Sequence, residues 1–200
     1  MSAAFWETRY ASGGNSGSGS SGENGDFKAN FVNGFVREHK IVSVVEYGCG
    51  DGQQLGLADY PQYTGMDVSA TAIRLCEQRF KRDPTKDFHL LPLPWPVSAD
   101  LVLSLDVIYH LTEQEVFVQH LHDVFGSALK WVILYTTDLD YIYSINPELP
   151  ADHVRHWPVQ DYVAKAFTAW KLCNTVMNPK PELGGTDFYI YSRQQPRNDA

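Results

Sequence analysis

The stretch Val44-Val45-Glu46-Tyr47-Gly48-Cys49-Gly50-Asp51-Gly52-Gln53 places a glycine-rich turn directly after an apolar run, Ile41 to Tyr47, that is typical of a buried parallel strand. Glycines in such a turn let the backbone approach a ligand closely and adopt positive φ angles. Gln53 stands where a dinucleotide fingerprint needs its third glycine, and Glu46 would repel a diphosphate. The turn therefore favours a cationic ligand over a pyrophosphate.

A second acidic residue, Asp67, lies at the end of the next predicted strand, Tyr63 to Val68. A carboxylate at this position can accept hydrogen bonds from both hydroxyls of a ribose. Together with Glu46, it indicates a nucleoside that carries positive charge and no phosphate. The alternative is a generic tight turn followed by a helix N-cap.

Strands and helices alternate around this turn. The other predicted strands are Phe88 to Leu91, Asp100 to Leu105, Trp131 to Thr136, Ala169 to Met177 and Asp187 to Ser192. The predicted helices are Phe27 to His39, Ala70 to Lys81 with Ser69 as its cap, one opened by the capping-box pattern Thr112-Glu113-Gln114-Glu115, and Val159 to Phe167. This order predicts an α/β fold with a doubly wound sheet. The last two strands have no helix between them and should pair as an antiparallel hairpin at one edge.

The composition limits what the chain can bind. Its 200 residues, 44% of them hydrophobic, suffice for one packed domain, and a net charge of −8 argues against duplex nucleic acid as a partner. The three cysteines form no pair at disulfide or zinc spacing, and no signal sequence or membrane span is evident. We expect a soluble protein in the reducing cytoplasm.

The N-terminal 26 residues differ in composition from the rest. Residues 11–26 are rich in Gly and Ser, which predicts a loop, either a flexible leader or a lid over a ligand. Phe5, Trp6 and Tyr10 would anchor the chain before this loop, and the predicted helix from Phe27 would anchor it afterwards. Anchoring on both sides favours a lid. We therefore divide the chain into an N-terminal segment with a lid (1–26), a catalytic domain (27–193) and a tail (194–200).

The glycine turn, Tyr63-Thr-Gly-Met-Asp67-Val-Ser and Asp100-Leu-Val-Leu-Ser-Leu-Asp106-Val-Ile-Tyr-His110 together resemble three motifs of the class I S-adenosylmethionine-dependent methyltransferases. The resemblance implies a Rossmann-like, mostly parallel seven-stranded sheet of order 3-2-1-4-5-7-6 with an antiparallel C-terminal hairpin strand. It also implies S-adenosyl-L-methionine as cofactor and S-adenosyl-L-homocysteine as product. The cofactor-binding residues expected from it are Glu46, Gly48, Gly50, Gly52, Asp67, Val68, Leu91 and Asp106. Leu91 is included because Leu91-Pro92-Leu93 replaces the aspartate with which many members bind adenine.

Two histidine-bearing segments are candidates for the catalytic base. Methylation of an alcohol requires removal of its proton, whereas a nitrogen needs only a free lone pair. His110 follows the fourth strand, with Asp106 available to orient it, and His153 or His156 would assist. The alternative for each histidine is a packing or capping role.

The long segment after the fifth strand is expected to bind the acceptor. It carries flat and polar side chains that suit a polyhydroxylated molecule, and the proposed contacts are Asp138, Tyr141, Tyr143, Arg155 and Trp157. Asp138 and Asp140 with a histidine could hold Mg²⁺, but two acids do not define a metal site, and we predict none. This segment and the Tyr10-to-Ser20 leader are similar to those of small methyltransferases associated with surface-glycan synthesis.

The sequence thus predicts O-methylation of a sugar, a glycan or a similar polar small molecule by in-line displacement with a histidine base. Three alternatives stay open: N-methylation of a small amine, a nicotinamide-dependent oxidoreductase, against which Gln53 and Glu46 argue, and a cofactor-binding module without activity.

Overall fold

The computed structural model describes residues 2–137, 154–180 and 185–194, and contains a seven-stranded sheet of order β3-β2-β1-β4-β5-β7-β6. The strands are β1 (Ser43–Tyr47), β2 (Gln62–Asp67), β3 (Lys86–Leu90), β4 (Ala99–Leu105), β5 (Ala128–Thr136), β6 (Trp170–Val176) and β7 (Asp187–Arg193). The helices are α1 (Ser2–Ala11), α2 (Gly22–Glu38), α3 (Ala70–Arg79), α4 (Gln114–Ser127) and α5 (Val159–Ala166). The predicted fold class and strand order are confirmed.

The chain divides into two compact units, Met1–Leu101 and Val102–Ala200. In the first unit, β1 pairs in parallel with β2 and β2 with β3, and Val44 and Met66 lie in its core. In the second, β7 pairs antiparallel with both β5 and β6, so the predicted C-terminal hairpin is present. None of the helices in the described ranges is long and apolar enough to cross a bilayer.

The start of α2 differs from the prediction. The helix begins at Gly22 rather than near Phe27, and a short 3₁₀ turn occupies Ser18–Ser20, so the stretch 11–26 is not all loop. Tertiary contacts override the poor helix propensity of glycine here. The Gln54 side chain donates to the Gly25 carbonyl at 3.0 Å, and a side chain at Gly25 would press on the Ser20 backbone.

Helix caps were predicted with mixed success. Ser69 caps α3 as expected, because its hydroxyl accepts a hydrogen bond from the Ala72 amide at 3.1 Å. The prediction of a capping box at the start of α4 was wrong. Although the helix starts at Gln114, its cap residue Glu113 makes no side-chain cap bond and instead accepts from the Thr112 hydroxyl.

Candidate active site

The glycine turn after β1 has the positive φ angles that its sequence predicts. Gly48, Gly50 and Gly52 adopt φ angles of 87°, 56° and 72°. A side chain at Gly52 would meet the Phe80 ring at 2.7 Å, so the turn also packs tightly on α3 and the residue that follows it. These angles are accessible to glycine at little cost, which explains the residue type at each position.

Asp67, at the end of β2, is held by backbone donors. Its side chain is only 6% exposed, and the Gly50 and Ser69 amides donate to its two oxygens at 3.0 and 2.8 Å. Burial raises the pKa of the Asp67 carboxyl, while these backbone hydrogen bonds act in the opposite direction. Since a carboxylate has about four acceptor sites, Asp67 retains capacity for a ribose hydroxyl. The position and acceptor capacity of the Asp67 carboxylate therefore fit the ribose of S-adenosylmethionine.

Glu46 is another buried carboxylate of this unit. It is 4% exposed, and its Oε2 accepts a hydrogen bond of 2.6 Å from the Tyr63 hydroxyl on β2. Burial and the neighbouring Glu46 charge raise the pKa of the Tyr63 phenol, so it stays a donor. A carboxylate fixed in this way, two residues before the glycines, fits a positively charged ligand.

Val68 and Leu91 border Asp67. The Val68 side chain is 43% exposed, and the Leu91 amide donates to the Asp67 carbonyl at 2.9 Å. The Leu91 N–H is therefore occupied within the protein, and only its side chain and carbonyl remain for a ligand.

The N-terminal segment lies against the glycine turn. The Ser16 hydroxyl donates to Asp51 Oδ1 at 2.7 Å and lies 3.0 Å from the Tyr10 hydroxyl. Tyr10 is buried, and a side chain at Gly50 would collide with Ser16 Oγ. In addition, Glu7 on α1 accepts hydrogen bonds from Ser69 and Thr71 at the start of α3. Sequence reasoning found the anchoring role of Tyr10 but missed Glu7 and Ser16, because no local pattern reveals contacts this distant in the chain.

The second unit places Asp106 directly after β4 with a φ angle of 59°, unusual for a residue other than glycine. Its Oδ1 accepts a hydrogen bond of 2.9 Å from the Tyr109 hydroxyl, and its amide donates to the Tyr135 carbonyl. Burial raises the pKa of the Tyr109 phenol, which keeps this donor protonated. Tyr109 is thus a partner of Asp106 that the sequence did not suggest.

The two histidine-bearing segments meet in this unit. The Arg155 amide donates to the Tyr109 carbonyl at 2.8 Å, so His156 and His110 each follow one partner of this hydrogen bond. His156 Nδ1 lies 2.7 Å from Thr137 Oγ1, just after β5. Burial lowers the pKa of His156, which favours the neutral imidazole.

Trp157 is built into the packing of the second unit. Its ring stacks on Phe117 with centroids 4.4 Å apart, its indole N–H donates to the Leu111 carbonyl at 2.8 Å, and the Arg155 guanidinium lies 3.8 Å from its centroid. Arg155 Nη1 also donates to the Thr112 carbonyl. These contacts favour a structural role for Trp157 and leave Arg155 as the exposed member of the pair.

The other predicted residues of this segment, Asp138, Tyr141, Tyr143 and His153, lie outside the described residues. Within residues 2–137, 154–180 and 185–194, no group of three or more His, Cys, Asp or Glu side chains could hold a metal ion. Lys28, which the sequence did not single out, is 1% exposed on the face of α2 that also buries Val32.

Comparison with known proteins agrees with this geometry. Residues 45–127 match the family model of a methyltransferase domain. The N-methyltransferase NodS from Bradyrhizobium japonicum WM9 with S-adenosyl-L-homocysteine has 13% identity and a TM-score of 0.72, over 97% of this chain and 99% of that chain. The methyltransferase domain of bacterial CtHen1-C has 17% identity and a TM-score of 0.68, over 85% and 98%.

A third similar structure is the magnesium protoporphyrin IX methyltransferase ChlM from Synechocystis PCC 6803 with bound S-adenosyl-L-homocysteine, with 17% identity and a TM-score of 0.64 over 84% of this chain and 83% of that chain. At these identities the likeness shows the fold. No curated protein matches the sequence. Residues 45–127 thus match a methyltransferase domain, and the chain shares the fold of these S-adenosylmethionine-dependent methyltransferases.

Proposed function

We propose that the protein methylates a hydroxyl of a sugar, a glycan or a similar polar small molecule, with a histidine as general base. The 2.8 Å hydrogen bond from the Arg155 amide to the Tyr109 carbonyl carries this proposal, because it joins the two segments that carry His110 and His156. An alcohol must lose its proton during methylation, whereas a neutral amine already has a free lone pair. Two histidines after the ends of β4 and β5 therefore favour an oxygen acceptor.

When bound, S-adenosylmethionine supplies an electrophilic methyl group for in-line displacement. In the first unit, the backbone of Gly48, Gly50 and Gly52 would line it, and Asp67 would accept its ribose hydroxyls. Glu46 would complement its positive charge, and the exposed Val68 and the half-buried Leu91 would contact adenine. In the second unit, Asp106 would face the methionine end, held by Tyr109.

In this proposal His110 accepts the proton of the acceptor hydroxyl, and His156 assists. When Nδ1–H of His156 donates to Thr137, its Nε2 keeps a lone pair, and the lowered pKa of this imidazole keeps it neutral near pH 7. Arg155, the exposed residue before His156, would bind acceptor hydroxyls, as would Asp138, Tyr141 and Tyr143. His153 is a further candidate for the assisting role.

The test replaces His110 by Ala and measures turnover at saturating cofactor. We expect kcat to fall by roughly 10²–10⁴, the usual contribution of general base catalysis, with no change in cofactor affinity. His122→Ala, on the exposed face of α4, is the matched control and should retain activity. A His110→Ala enzyme within about threefold of wild type would exclude His110 as the base.

N-methylation of a small amine is the second candidate, because NodS, an N-methyltransferase, shares this fold over 97% of the chain. Products methylated on an amine nitrogen, with none methylated on an alcohol oxygen, would establish N-methylation. Binding of NAD⁺ instead of S-adenosylhomocysteine would favour an oxidoreductase, and cofactor binding without a methylated product would favour a non-catalytic module.

A further inference from the structure

Glu7 on α1 makes three hydrogen bonds to the start of α3. Its Oε2 accepts from the Ser69 hydroxyl at 2.6 Å and from the Thr71 amide at 3.1 Å, and its Oε1 accepts from the Thr71 hydroxyl at 2.6 Å. These hydrogen bonds lower the pKa of Glu7 to about 2. Glu7 is therefore an anion near neutral pH, at a helix N-terminus where negative charge is stabilised.

Ser69 connects Glu7 to Asp67. The Ser69 amide donates to Asp67 Oδ1 at 2.8 Å, while its hydroxyl donates to Glu7 and accepts from the Ala72 amide. These two hydrogen bonds fix the Ser69 hydroxyl and so position Ser69 itself. The amide of Ser69 in turn orients one oxygen of the Asp67 carboxylate.

The other oxygen of Asp67 depends on the same N-terminal segment. Its Oδ2 accepts from the Gly50 amide at 3.0 Å, and Gly50 lies directly beneath Ser16 and Tyr10. Gly50 and Ser69, whose amides donate to the Asp67 carboxylate, are therefore each in contact with residues 7–16.

We propose that Glu7 is a positioning residue for ribose recognition, acting through Ser69 on the Asp67 carboxylate. The inference rests on the ribose role proposed above for Asp67. Without Glu7, the Ser69 hydroxyl loses its acceptor, the turn from Asp67 to Ser69 gains freedom, and the carboxylate is no longer held in one orientation. Cofactor binding then weakens through the ribose, while contacts to the rest of the nucleoside remain.

The test is a thermodynamic cycle between residue and ligand, measured by calorimetry without any acceptor. S-adenosylhomocysteine and its 2′-deoxy analogue are titrated into wild type, Glu7→Ala and Thr8→Ala, the last an exposed control on the same helix. Wild type should bind the analogue roughly tenfold or more weakly, as expected for a hydrogen bond to a charged group. In Glu7→Ala this ratio should fall to about two or less, mainly through loss of S-adenosylhomocysteine affinity, and Thr8→Ala should match wild type.

Two results would overturn the inference at different points. If wild type does not discriminate between the ligands, Asp67 does not bind the 2′-hydroxyl, and the ribose role proposed for Asp67 fails. If wild type discriminates and Glu7→Ala does so equally, Glu7 does not position the carboxylate. Glu7→Met keeps the length of the side chain and removes both acceptor oxygens, so it serves if the Ala variant fails to fold. Its ratio should also fall, and a wild-type ratio would overturn the inference.

Discussion

Replacing Gly50 by Ala tests whether the N-terminal segment lies on the glycine turn. Gly50 has a φ angle of 56°, and an added Cβ would collide with Ser16 Oγ and lie 2.8 Å from the Tyr10 hydroxyl. The left-handed backbone costs alanine about 1–2 kcal/mol. Displacing Ser16 also breaks its hydrogen bond to the Asp51 carboxylate, which is worth about 1.5–3 kcal/mol. We expect the free energy of unfolding to fall by about 2.5–5 kcal/mol in total.

Urea denaturation of the ligand-free protein measures this change. Gly56→Ala is the matched control, because an added Cβ there meets no atom within 4 Å and the residue lies in a short 3₁₀ helix; its effect should stay within about 1 kcal/mol. In a Tyr10→Phe, Ser16→Ala background the colliding oxygens are gone, so Gly50→Ala should cost only the backbone term of about 1–2 kcal/mol. An equal cost in both backgrounds would refute the contact between the segment and the turn.

Two further predictions concern the second unit. Burial lowers the pKa of His120, whose ring is hydrogen-bonded to Ser104, to about 4. As the pH falls from about 6.5 to about 4, His120 therefore binds a proton in the unfolded chain but not in the folded protein, and the free energy of unfolding falls. His120→Asn should remove up to about 1.4 kcal/mol per pH unit from the slope of unfolding free energy in this window, and an unchanged slope would contradict the assignment. Trp157→Phe should lower the unfolding free energy by about 1–2 kcal/mol through the lost bond to the Leu111 carbonyl, with acceptor KM unchanged. A raised KM at unchanged stability would assign the ring to the acceptor.

The sequence predicted the core of the fold because local patterns carry it. The glycine turn, the acid at the end of β2 and the alternation of strands with helices are all periodic or adjacent in the chain. The N-terminal contacts could not be predicted in this way, since Glu7 bonds to Ser69 and Ser16 to Asp51 across long stretches of chain. The same holds for the start of α2, where Gln54 and Gly25 compensate for weak helix propensity.

The most direct test of the proposed function is the identity of the methylated atom. The protein is supplied with S-adenosylmethionine carrying a ¹³C methyl group and a mixed panel of sugars, other alcohols and small amines, and the products are examined by NMR, where methyl carbons on oxygen and on nitrogen are distinct. We predict a methyl ether on a sugar or similar polyhydroxylated acceptor. Methyl groups found only on nitrogen would contradict the proposal.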